Sequence, residues 1–119
     1  MKVVVVEPMR RPYEKEIDSC LAAYQEVVNG YIEAVYPFEE DVCLICNEEG
    51  KINGSMANRA LLDENGKIQD IIFGTFFIVA NGEEDWESLT EEQIDKYIEK
   101  FWGIEYFFRV DGEITRIVG

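Results

Sequence analysis

Hydrophobic and polar positions divide this chain into short, well-marked segments. Lys2–Glu7 contains four unbroken valines, which reads as a strand covered on both faces, since a half-exposed strand alternates. Pro8–Pro12, with Arg10 and Arg11, is a turn. In Glu14–Val28 the apolar positions Ile17, Cys20, Leu21, Tyr24, Val27 and Val28 follow the three- and four-residue spacing of an amphipathic helix. Glu14 and Glu16 suit its positive end, and Asn29-Gly30 supplies a stop. Tyr31–Tyr36 alternates as a strand, and a strand, helix, strand order of this length permits a right-handed parallel crossover.

Pro37–Asp41 is an acidic loop, Val42–Cys46 a third strand and Asn47–Gly50 a turn. The pattern weakens over Lys51–Leu62, where Asn58–Leu62 fits a short helix or strand. After the turn Asp63-Glu64-Asn65-Gly66, Lys67–Ala80 reads as a long buried strand bent or broken at Gly74. Asn81–Leu89 is a polar loop. Thr90-Glu91-Glu92-Gln93 has capping-box spacing and opens a helix to about Trp102, with Ile94, Tyr97, Ile98, Phe101 and Trp102 on its apolar face. Ile104–Val110 and Glu113–Val118 around Asp111-Gly112 form a β-hairpin. There is no repeat or linker. The expected architecture is one α+β domain over residues 1–119, a largely antiparallel sheet of five or six strands packed by two helices. Residues 104–118 read as an addition to it.

Composition changes the picture through charge. The 119 residues carry 25 acids against 11 basic side chains, a formal net charge of −14, and no histidine. An aromatic content of 13% separates the chain from disordered acidic sequences. A polyanion repels nucleic acid and anionic membranes, so neither is expected as a direct partner. The absence of histidine excludes a Ser-His-Asp triad, a Cys-His pair and a histidine-ligated zinc. Glu16–Gly50 holds nine acids and no basic residue, and Ile68–Asp95 holds eight acids before the first lysine. A small domain needs a net charge of only about 2–8 for solubility. Two readings compete: a solvated surface, or a set of carboxylates imitating the phosphates of DNA and occupying a basic groove. The second nominates Glu33, Glu39, Glu40, Asp41, Glu48, Glu49, Glu83, Glu84, Asp85, Glu87, Glu91, Glu92 and Asp95 as contacts to a basic protein.

Cys43-Leu44-Ile45-Cys46 has redox or zinc spacing but falls on a strand, where residues three apart point to opposite faces. Zinc would also lack further ligands. These cysteines are expected to be core thiols. Asp63–Lys67 lacks the ligand spacing of a calcium loop. No residue set nominates a reaction, a metal or a cofactor, so a non-enzymatic protein is expected. No secretion signal or membrane span is legible, which places the chain in the cytoplasm. Asn47, Asn58 and Arg59 offer an alternative. Either the arginine pairs a carboxylate and the asparagines close turns, or the three line a pocket for a nucleotide or another small ligand.

Lys2-Val3-Val4-Val5-Val6-Glu7-Pro8, Leu44–Lys51, Asn58-Arg59-Ala60-Leu61, Asp70–Ile78 and Leu89–Gln93 together resemble the domain-of-unknown-function 3846 family, up to about Trp102. The resemblance implies small acidic proteins of phages and other mobile elements, and no established reaction. It adds weight to an anti-defence inhibitor that blocks a nucleic-acid-binding protein of the bacterial host.

Overall fold

A computed structural model describes Met1–Gly119. The element order is β1 (Lys2–Val6), β2 (Tyr13–Glu16), α1 (Leu21–Val28), β3 (Ile32–Val35), β4 (Val42–Asn47), β5 (Ala57–Leu62), β6 (Ile68–Phe73), β7 (Phe76–Asn81), β8 (Trp86–Glu87), α2 (Glu91–Lys100), β9 (Glu105–Val110) and β10 (Glu113–Val118). The main sheet runs β2-β1-β7-β4-β3, with β8 on the end of β7, and every pairing is antiparallel. β5–β6 and β9–β10 are separate two-stranded ribbons. No helix is long and apolar enough to cross a membrane.

Alternation along the three central strands splits the core into two layers. Val3, Val5, Cys43, Ile45, Phe77 and Val79 face α1. Val4, Val6, Leu44, Cys46, Phe76 and Ile78 face α2 and the β5–β6 ribbon. The unbroken valines are thus buried on both sides, as expected of a strand without alternation. Cys43 and Cys46 fall in opposite layers, and burial pushes both thiols up to about 11. Neither is poised for redox chemistry.

Three expectations change. Glu14–Glu16 is not the start of a helix but part of β2, an exposed edge strand that closes β1 in the register Lys2↔Glu16 to Val5↔Tyr13. The open edge of β1 outweighs a helical period whose first turn had only Ile17 to bury, and α1 begins at Leu21. The parallel crossover does not form, because β7 and β4 separate β1 from β3. Lys67–Ala80 does break at Gly74, as expected, and its φ of +80° carries the chain from the β6 ribbon into the central strand β7. β8, two residues long, lies within the predicted loop 81–89. The capping box holds on both sides: Thr90 Oγ1 accepts from the Gln93 N–H, and the Thr90 N–H donates to Gln93 Oε1.

Candidate functional site

The antiparallel order determines which acids meet. β4 starts where β7 ends, at Val42↔Ala80, and the Asn81 N–H donates to the Asp41 carbonyl. β8 pairs the same end of β7 through Ala80↔Glu87. β1 starts there too, since the Leu89 N–H donates to the Lys2 carbonyl, and α2 follows directly. The loop Glu39-Glu40-Asp41, the loop Glu83-Glu84-Asp85 with Glu87, and Glu91, Glu92 and Asp95 of α2 therefore share one end of the sheet. All except the half-buried Glu40 are exposed. Two lysines are set among them: Lys2 Nζ is 3.1 Å from Glu91 and Lys96 Nζ is 3.2 Å from Glu40.

The other three nominated acids lie elsewhere. Glu33 pairs Cys46 near the far end of β4, and Glu48 and Glu49 occupy the turn beyond it. About 17–20 Å of strand separates them from Asp41. They flank a concavity of about 310 Å³ that also includes the Lys51–Asp70 ion pair. Glu33, Glu48 and Glu49 thus do not join the other ten nominated acids: β4 sends the two halves of the 33–49 set to opposite ends.

Glu40 is the one acid of the group tied into the core. The buried Tyr97 hydroxyl donates to its Oε1, and this bond, ahead of Lys96, holds the carboxyl below its usual range. Burial pushes the Tyr97 phenol up, and Glu40 adds to the shift. Tyr97 thus stays a neutral donor, and Glu40 an ionised acceptor.

Arg59 is fully buried and does not open a ligand pocket. Its five N–H bonds are all used within the chain. Nε and Nη2 donate to the Phe101 carbonyl at the end of α2, at 3.2 and 3.1 Å. Nη2 also donates to the Arg10 carbonyl at 2.7 Å, and Nη1 to Asn58 Oδ1 and the Asn58 carbonyl at 2.8 and 3.2 Å. Burial pulls the guanidinium down from its ordinary value, and Glu105, 4.0 Å away, opposes that. Asn58, also fully buried, donates to the carbonyls of Val6 and Gly74 and so ties β1 to the β6–β7 corner. Asn47 donates to the Val28 and Asn29 carbonyls and accepts from the Glu49 N–H. The alternative site of Asn47, Asn58 and Arg59 is corrected accordingly: Arg59 pairs a carboxylate, Asn47 closes a turn, and Asn58 bridges strands.

The partners of Arg59 had no local signal. Glu105 sits on β9, 46 positions away, and its Oε1 accepts from the Ala60 N–H at 3.0 Å and from Arg116 Nε at 2.5 Å. The one clue was a lone arginine next to the apolar Ala60-Leu61-Leu62, which, once buried, demands a counter-charge. No cluster of His, Cys, Asp or Glu is spaced to hold a metal ion.

The comparisons with known proteins agree with the residues that suggested a family. No curated protein and no solved structure matches the chain. A family model described as "Domain of unknown function (DUF3846)" matches residues 1–102, from β1 through the whole of α2, leaving only the β9–β10 hairpin outside it. With most of its length matched, the chain belongs to the DUF3846 family.

Proposed function

We propose that this protein is a non-enzymatic binding protein whose acidic end occupies the basic groove of a nucleic-acid-binding protein. The observation that carries this reading is the convergence of ten nominated carboxylates at one end of the main sheet, against two lysines. Across the five-stranded width of about 19 Å, a net eight charges amount to one per roughly 2–3 Å, between one DNA strand and the duplex. The resemblance to small proteins of mobile elements makes a host defence protein the natural target, met in the bacterial cytoplasm. Arg59 does not favour the small-ligand reading, because it has no donor left to give.

Immobilised protein should retain a basic partner from bacterial lysate, and duplex DNA added in solution should displace it. Retention should fall steeply as salt rises from about 50 to 200 mM. The variant Glu39→Gln/Glu83→Gln/Glu84→Gln/Asp85→Asn should lose it. Capture that survives salt, DNA and these substitutions would reject the acidic end as the binding surface.

A further inference from the structure

The β9–β10 hairpin leaves an apolar face uncovered at the opposite end of the molecule. Its register pairs Tyr106↔Ile117, Phe108↔Thr115 and Val110↔Glu113, so these six side chains share one face. Glu105, Phe107, Arg109, Ile114, Arg116 and Val118 form the other face, where Glu105 is buried against β5 while Ile114 and Val118 are half-exposed and interrupted by the two arginines. On the outer face Phe108, Val110 and Ile117 are 51%, 53% and 53% exposed. A groove of about 280 Å³ beside Tyr106 and Phe108 adds the exposed Met9 and Met56. β10 pairs nothing but β9, and a two-stranded ribbon with an open apolar face is marginal by itself.

We infer that this face is a homodimer interface, formed by two hairpins packing outer face to outer face across a two-fold axis. Charge selects the occupant. The hairpin's exposed ionic groups are Arg109, Asp111 and Glu113, since Arg116 and Glu105 pair with each other; one minus two leaves −1, against −14 for the chain. Arg11, which stacks on Trp102 and donates to the Trp102 and Gly119 carbonyls, flanks this end. Of the six outer-face side chains only Glu113, beside the turn, is ionic, so two copies meet here with one carboxylate each at the rim. A basic partner, by contrast, finds only Asp111 and Glu113 to read, against the ten carboxylates of the acidic end. A two-fold axis would place the same apolar patch on both sides of the contact, as an isologous interface requires. Its apolar surface is roughly 400–600 Å² per copy. That is less than the about 800 Å² per partner of a standard interface, which fits a weak, reversible dimer. The hairpin lies outside the family match, so this inference does not rest on the acidic end.

Sedimentation equilibrium on the full chain tests it. The mass should rise with concentration from 13.8 kDa to twice that value, and added salt should not reverse the rise. Phe108→Asp with Ile117→Asp should weaken association at least about tenfold and keep the melting temperature of the dilute wild type, since both side chains are half-exposed in the monomer. Ile52→Asp, at an exposed apolar residue outside the patch, should dimerise like wild type. A wild type that remains at 13.8 kDa up to about 500 µM, a dimer that salt dissociates, or a Phe108/Ile117 variant that associates normally would overturn the inference.

Discussion

Two regions of this protein treat charge in opposite ways. At the Arg59 junction a single cation is stripped of water and given an oxygen for every N–H, from α2, the β1–β2 loop, β5 and, at longer range, the Glu105 carboxylate. At the acidic end nine of the ten carboxylates stay in water, with two lysines for company. A buried charge is tolerated only when its geometry is complete, so the junction is a structural keystone. Exposed like charges cost stability through mutual repulsion, so the acidic end is a part the fold tolerates without needing it. Stability should therefore reside at the first region and binding at the second.

Removing the guanidinium breaks this comparison most severely. Arg59→Met takes the donors from the buried carbonyls of Phe101 and Asn58 and from the part-buried Arg10 carbonyl, and removes one of the two cations beside Glu105. The expected loss is about 3–5 kcal/mol, a large part of a domain's total of about 5–15. Urea denaturation checks it. Arg59→Lys should recover only part of the loss, because an ammonium cannot present five donors in a planar fork. Wild-type stability in both variants would show that the junction is dispensable.

This contrast also explains what could be read from the chain before folding. Local signals survived: the valines of β1, the capping box at Thr90, the Asp111-Gly112 turn with φ of 51° and 81°, and the divergent cysteines of β4. Each depends on residues a few positions apart. Glu14–Glu16 was misassigned because its fate depends on the edge of β1, a partner ten to fourteen positions away. The junction was half legible, as a buried arginine announces a need for acceptors without naming them. Its acceptors are main-chain oxygens at positions 10, 58 and 101, which any residue type can supply. The acidic end was legible as composition and not as shape, because strand order decides that 41 meets 81 while 48 does not.

Neutralising the acidic end sharpens the comparison from the other side. The four-site variant Glu39→Gln/Glu83→Gln/Glu84→Gln/Asp85→Asn should be as stable as wild type or more so, by up to about 1–2 kcal/mol at low salt, through relief of repulsion. Raising salt should narrow the difference, since screening stabilises the wild type more than the variant. Thermal melts of both proteins across an ionic-strength series give the answer. A variant clearly less stable than wild type would mean that these carboxylates hold the fold together, and the division between the two regions would fail.

The smallest effect sits where the two regions touch, at Glu40. It belongs to the acidic end by position, yet it accepts from the buried Tyr97 hydroxyl. That bond lowers the Glu40 carboxyl below its ordinary value. A group whose folded pKa is depressed contributes stability that is complete above its unfolded pKa and lost as pH falls through the folded one. The wild type should therefore lose this contribution below about pH 4.5, where ordinary carboxylates begin to protonate. Tyr97 has the opposite sign: its raised phenol contributes fully below about pH 10 and loses that contribution as pH rises further. Glu40→Gln keeps an acceptor but removes the charge, so it should cost about 0.5–1 kcal/mol at pH 7 and less at pH 3. The pH dependence of urea midpoints for the two proteins measures the difference. If Glu40→Gln were as destabilising at pH 3 as at pH 7, the ionised carboxylate would have no part in the bond, and Glu40 would belong with the exposed acids around it.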